Sequence, residues 1–267
     1  MRDQPAEVPL TGGFTNAGLV TRVGDTVRRP WRPTSAATRA LLEHLERAGF
    51  DGAPRFLGTD ERGREILSYI PGTAVIPPYP DWALTDDALV SVAELMRRYH
   101  EATASFDHAG HRWPRALPPA YRGPIVSHND PNLDNVVFSG GRAVALIDFD
   151  LAGPGSAVWD VACAARLWAP LRDPTDAPVA LRGRELERFR TFADAYGLTA
   201  DERARVVEAL PYAHDWCYDI VRTAVAGGHA TFGDLWRTGG RLRAQRTHAW
   251  LASHADEMRA ALRERAE

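Results

Sequence analysis

Hydrophobic positions along the chain fall into two regimes. From Val8 to Ile70 they come in short alternating runs, the mark of half-buried strands, with one stretch of helical spacing between them. Leu19 to Val23 and Thr26 to Arg29 are β-compatible and joined by Gly24-Asp25, which predicts a tight hairpin. Thr34 or Ser35 can cap a helix whose apolar positions Ala37, Leu41, Leu42 and Leu45 recur on one face, and Gly49 ends it. Pro54 to Leu57 and Glu65 to Tyr69 read as two further strands around the turn Asp60 to Gly63, and Ile70-Pro71-Gly72 breaks the pattern.

Beyond that break the spacing changes. Pro77, Pro78 and Pro80 precede a helix predicted over Asp86 to Ser105. Three short apolar runs follow, Ile125 to Ser127, Val136 to Phe138 and Val144 to Ile147, the last ending on Asp148. From Trp159 onward the pattern is helical, interrupted at Pro170 to Pro178 and at Gly227, Gly228, Gly239 and Gly240. The expected division is residues 1–72, a sheet with one helix, and residues 73–267, mainly helical.

Composition narrows the chemistry. The 267 residues carry a formal charge of -3, which argues against a generally basic nucleic-acid binder. All 32 basic residues are arginine, so Schiff-base chemistry and any phosphate-binding lysine are excluded. Cys163 and Cys217 have no metal-ligand spacing, and no signal-like or membrane-spanning apolar run occurs, so a cytoplasmic chain with no membrane partner is expected.

The informative stretch is Ser127-His128-Asn129-Asp130-Pro131-Asn132-Leu133-Asp134-Asn135, followed by Leu146-Ile147-Asp148-Phe149-Asp150. Only four asparagines occur in the chain, and three of them lie between positions 129 and 135. A polar loop of this kind between apolar strands presents hard oxygen ligands on a rigid support, as Mg2+ bound to substrate phosphates requires. A turn capped by its own Asp and Asn side chains would use the same residue types without this spacing.

His128-x-Asp130-x4-Asn135, then Ile147-Asp148-Phe149, resembles the catalytic loop and metal-binding aspartate of the aminoglycoside phosphotransferase and choline kinase family, relatives of protein kinases. Trp159-Asp160-Val161-Ala162 is similar to the helix start that follows in that family. The resemblance implies an α+β, bilobal, protein-kinase-like fold, with a small antiparallel-sheet N-lobe and a larger helical C-lobe. It also implies transfer of the γ-phosphate of ATP or GTP, with Mg2+, to a hydroxyl of a small molecule, an activity that includes antibiotic modification and resistance. Asp130 would orient or accept the hydroxyl proton, and Asn135 and Asp148 would hold Mg2+. His128 would anchor the loop, and Asp160 would cap its helix and brace the loop. Asp150, where protein kinases have glycine, is either a second carboxylate beside the metal or an acid that is solvated or paired with arginine.

In the N-terminal half, Gly12-Gly13-Phe14-Thr15-Asn16 is similar to the family's nucleotide loop, with Gly13 and Asn16 near phosphate. Leu67 to Gly72 would be the hinge at the nucleobase, including Ser68 and Ile70. The chain departs from the family at the phosphate-binding lysine. Arg28 or Arg29 stands there, and period-two alternation favours Arg29, which shares a face with Val27. The glutamate that normally holds the lysine has no counterpart near Thr38, while Glu43 and Glu46 come a turn or more later. This departure admits an alternative, a nucleotide-binding pseudokinase acting as a binding or immunity module. The residues around Asn129 and Asp148 also resemble a branch associated with immunity to peptide antibiotics.

For the acceptor, Asp215 and Asp219 lie four apart on one predicted helical face among Trp216 and Tyr218, an arrangement able to hold a cationic amine. Two solvated acids on a half-buried helix would look the same.

Overall fold

The computed structural model describes residues 6–10 and 18–263. Five short strands build an antiparallel sheet: β1 (Val8–Pro9), β2 (Thr21–Val23), β3 (Thr26–Arg29), β4 (Phe56–Thr59) and β5 (Glu65–Ser68), in the order β1-β2-β3-β5-β4. The Gly24 turn joins β2 to β3 as its sequence requires, with Gly24 at φ 59°. Between β3 and β4 runs helix α1 (Ser35–Arg47), which buries Ala37, Leu41, Leu42 and Leu45, the apolar face read from the spacing. Each buried leucine contributes roughly 1.5–3 kcal/mol by leaving water.

Gly72 stands where the chain leaves this sheet, at φ 151°, and a Cβ there would meet the Phe138 carbonyl oxygen at 2.5 Å. Only glycine allows that approach. Beyond it, β6 (Thr73–Ala74) joins a second sheet, and helix α2 (Asp86–Thr103) is capped by the Thr85 hydroxyl, which accepts from Ala88 N at 3.2 Å. The apolar runs form β7 (Ile125–Ser127), β8 (Val136–Ser139) and β9 (Arg142–Leu146), while β10 (Gly153–Gly155) pairs with β7. Strand β9 stops one residue earlier than the apolar run, because Ile147 leaves the ladder to serve the loop.

The rest is helical: α3 (Ala157–Trp168), α4 (Glu185–Tyr196), α5 (Ala200–Ala226), α6 (Ala230–Leu235), α7 (Arg241–Ser253) and α8 (Ala255–Arg263). Thr199 and Glu202 form a reciprocal cap at the start of α5, and the chain breaks at Gly227-Gly228 and at Gly239 as the glycines forecast. The fold is therefore α+β, an antiparallel sheet with a helical body. One hydrophobic core runs from Leu41, Leu42 and Leu45 through α2 to the fully buried Trp159 and Phe189, so the sheet and the helices share packing.

Candidate active site

The loop between β7 and β8 carries the polar cluster, and one buried acid fixes it. Asp160, on the first turn of α3, accepts hydrogen bonds from His128 N at 2.7 Å, Asn129 N at 2.8 Å and His100 Nε2 at 2.9 Å. Burial opposes its ionisation, but these donors win and hold its carboxyl below the usual range. The cap of α3 itself is Ser156, so Asp160 braces the loop and does not cap the helix. His128 is fully buried, and its Nε2 donates to the Ile147 carbonyl at 3.0 Å. Burial pushes its pKa down, which keeps it neutral and structural. Asn129 adopts φ 67° and donates from Nδ2 to Leu151 O at 2.7 Å, tying the loop to the segment after Asp148.

Asp130 projects into a cleft of about 670 Å3 that is also lined by Asn132, Asp134, Asn135, Asp148 and Asp150. The amides of Asn132 and Asn135 donate to its carboxylate, Asn135 at 3.1 Å. Burial raises its pKa well above the ordinary value, with the nearby Asp148 and Asp134 adding to the effect. Asp148 takes a left-handed backbone, φ 60°, that turns its carboxylate back toward the cleft. Its pKa is raised to about 6, first by burial and then by Asp150, with Arg29 opposing.

Arg29 meets this group from the sheet. It is 7% exposed, with Asp148 at 3.6 Å, Glu65 at 3.3 Å and Asp150 in direct contact. Burial alone would lower its pKa, but the three acids raise it, so it stays charged. Asp150 also lies 3.5 Å from Arg32, which makes it an arginine-paired acid. Arg28, one residue earlier, turns the other way: its guanidinium contacts Thr26 at 2.6 Å and lies 3.9 Å from Asp60, away from the cleft.

The acid opposite Arg29 was not apparent from the sequence. Glu65 stands directly across from it in the β3–β5 register and is 2% exposed, whereas Glu43 pairs with Arg39 at the surface and Glu46 lies 3.8 Å from Arg55. Helix α1 supplies no acid to Arg29 because the residues facing the sheet, including Thr38, are buried and uncharged. The turn at Asp60 to Gly63 sets Glu65 opposite Thr59 of β4, and only the non-local pairing of β5 with β3 sets it opposite Arg29.

The expected acceptor acids require correction. Neither Asp215 nor Asp219 lines the cleft. Asp215 is exposed and 3.0 Å from His248, and Asp219 is paired with Arg115 and Arg222. The face of α5 toward the cleft carries Cys217, Tyr218, Val221 and Ala224, because the helix is rotated to bury Ala213, His214 and Trp216 on its other contacts. Ser68 and Ile70 end and follow β5, and the Ser68 hydroxyl accepts from Arg55 N at 2.8 Å, outside the cleft lining. Gly13 and Asn16 fall outside the described residues.

Asp148 has a buried Oδ1 without a hydrogen-bond partner, beside Asp150, an acid-rich arrangement that suits a divalent cation. Asn135 uses its amide nitrogen on Asp130, leaving its carbonyl oxygen available to a metal. Among the described residues no cluster of three His, Cys, Asp or Glu could hold a metal alone, so phosphate oxygens would have to complete the shell. No described helix is long and apolar enough to cross a membrane.

Residues 104–198 match a family model described as the phosphotransferase enzyme family. The chain is 34% identical to the trifolitoxin immunity protein of Rhizobium leguminosarum bv. trifolii, over 96% of this chain and 98% of that protein. Among solved structures it resembles a choline/ethanolamine kinase family protein from Mesorhizobium loti, with TM-score 0.62 and 18% identity over 91% of this chain and 88% of that one. It also resembles the APH(2″)-IIa protein in its gentamicin complex, with TM-score 0.60 and 15% identity over 97% and 94% of the two chains. At these identities the likeness to the two structures is one of fold.

Proposed function

The chain belongs to the phosphotransferase enzyme family, and from that premise we propose that it transfers the γ-phosphate of ATP or GTP to a hydroxyl of a small molecule in the cytoplasm, using Mg2+. The observation that carries this reading is the convergence of Asp130, Asn135 and Asp148 on one cleft, facing the buried Arg29. In the transfer, the acceptor oxygen bonds to the γ-phosphorus as the bond to the β-phosphate oxygen breaks. The hydroxyl proton passes to Asp130, and the nucleoside diphosphate leaves. A loose transition state asks mainly for positioning, and Asn132 and Asn135 fix the Asp130 carboxylate for that purpose. Its raised pKa makes it a better proton acceptor than a free aspartate.

Asn135 and Asp148 would hold Mg2+, which when bound neutralises phosphate charge. Arg29 replaces the point charge of a lysine by a planar fork that remains protonated, and Glu65 orients it. Asp130→Ala should lower turnover by about 100- to 10,000-fold while leaving nucleotide affinity within about twofold in calorimetry. Retained turnover removes Asp130 from this role.

The 34% identical immunity protein favours a second reading, a nucleotide-binding immunity module without transfer. Nucleotide consumption and product mass across a panel of hydroxyl compounds separate the two. Binding with no transfer supports the module, and absence of Mg2+-dependent nucleotide binding overturns both.

A further inference from the structure

The acceptor end of the cleft has a charge opposite to the one anticipated from Asp215 and Asp219. Arg112, just before Trp113 in the segment leading to β7, and Arg166, on α3, both line it. Among the described residues neither has an acid within ion-pair distance, although most arginines of this chain are paired with one. Arg166 has a buried Nε with no hydrogen-bond partner. Its guanidinium is hydrogen-bonded to the Cys217 thiol, and its other neighbours are Cys163, Tyr218 and Asp130.

The acids of the cleft are already committed elsewhere. Asp148 and Asp150 face Arg29, and Asp130 is held by Asn132 and Asn135. The remaining wall is apolar and aromatic, formed by Trp113, Tyr218, Val221, Phe232 and Leu235. The lining acids Asp130, Asp134, Asp148 and Asp150 all lie on the β7–β8 loop and the segment after β9, and the described lining residues of the Trp113 segment, α5 and α6 include no carboxylate. A largely desolvated guanidinium whose Nε has no partner gains from an oxyanion, which can satisfy its remaining donors bidentately.

We infer that the acceptor is a hydroxyl compound carrying a carboxylate on an apolar body, and that Arg166 and Arg112 select it by binding that carboxylate. This rests on the proposed phosphotransferase reading, since it assigns the acceptor of the same site. The nucleotide's own phosphates are the competing anion for these arginines, and the test separates the two.

The probes are 3-hydroxydecanoate, its methyl ester and 3-hydroxydecylamine, which share the hydroxyl and the apolar chain and carry an anionic, a neutral and a cationic head group. Their affinities are measured by calorimetry on the full chain with Mg2+ and a non-hydrolysable ATP analogue, and phosphorylation is followed separately with ATP by mass spectrometry. The carboxylate should bind at least about tenfold more tightly than the ester and the amine, the scale of one charge-assisted hydrogen bond. Arg166→Gln and Arg112→Gln should each reduce that preference, with affinity for the nucleotide analogue within about twofold of wild type. Arg112 is exposed, so its variant remains informative if Arg166→Gln does not fold.

Equal affinity for the three probes, tighter binding of the amine, or an unchanged preference in both variants overturns the inference. Loss of nucleotide affinity in the variants with no change in carboxylate preference assigns the arginines to the nucleotide and overturns it as well. Carboxylate selection without phosphorylation leaves this inference standing and counts against the transfer reaction alone.

Discussion

Arg29→Met removes the buried cation that contacts Glu65, Asp148 and Asp150, so it tests the centre of the site. All three contacts fall within 3.6 Å, and Arg29 is 7% exposed, so the pairs are poorly screened. Breaking a buried ion pair on one side costs about 3–5 kcal/mol, which in a chain of this size lowers Tm by roughly 6–20 °C. The abandoned acids relieve part of this cost by taking up protons. Glu65 and Asp148 are already raised by burial, and loss of Arg29 raises them further. A carboxylate raised in the folded state contributes stability that is complete below its unfolded pKa and lost as pH rises through the folded value. The deficit of the variant should therefore be small near about pH 5 and grow above about pH 6.

Mg2+-nucleotide affinity at neutral pH should fall roughly 10- to 100-fold, because a charge-assisted contact to phosphate is lost and Asp148 is less ionised. Urea unfolding at several pH values and calorimetry with Mg2+-ATP measure both effects. Arg28→Met is the control, since Arg28 points toward Asp60 on the opposite side of β3 and its loss should leave nucleotide affinity within about twofold. A deficit independent of pH, or a larger loss of affinity in Arg28→Met, would refute the reasoning.

Two further outcomes are expected. Asp160→Asn offers one oxygen to the three donors from His128, Asn129 and His100, costing about 1–3 kcal/mol for each group left unsatisfied. Urea unfolding should show that loss and turnover should fall with it, whereas unchanged stability would mean that another group holds the loop. His214 is 1% exposed, donates from Nε2 to Ala244 O at 2.9 Å, and is depressed by burial from 6.5 to about 4. A depressed histidine gives stability that is present above its unfolded pKa and lost as pH falls through the folded one. The wild type should therefore lose about 3 kcal/mol between pH 6.5 and about pH 4 relative to His214→Phe. Parallel stability curves for the two proteins would exclude His214 as the cause.

Much of the site was legible because it is local. The candidate loop lies within nine residues, Ser127 to Asn135, and Asp148 follows after one hairpin, so spacing singled out the residues and the family resemblance supplied the chemistry expected of them. The hairpin of β2 and β3 and the buried face of α1 were also written in period-two and helical patterns. Contacts between elements were not legible. The partner of Arg29 was sought on α1 and found on β5, because a strand register three connections away places Glu65 opposite it.

The cleft wall formed by α5 shows the same division more sharply. Spacing predicts a helix with Asp215 and Asp219 on one side, but a helix can present any face to its neighbours. The packing of α5 against α3 and α7 buries Trp216 and His214 and turns both acids outward. Cys217, Tyr218 and Val221 consequently face the cleft, where Arg166 of α3 supplies the charge. The sequence by itself determined most of the element types, the candidate site residues and the absence of any lysine. Tertiary structure decided which arginine meets Asp148, which acid holds it and which face of α5 lines the cleft, since rotation and register follow from burying the whole apolar surface at once.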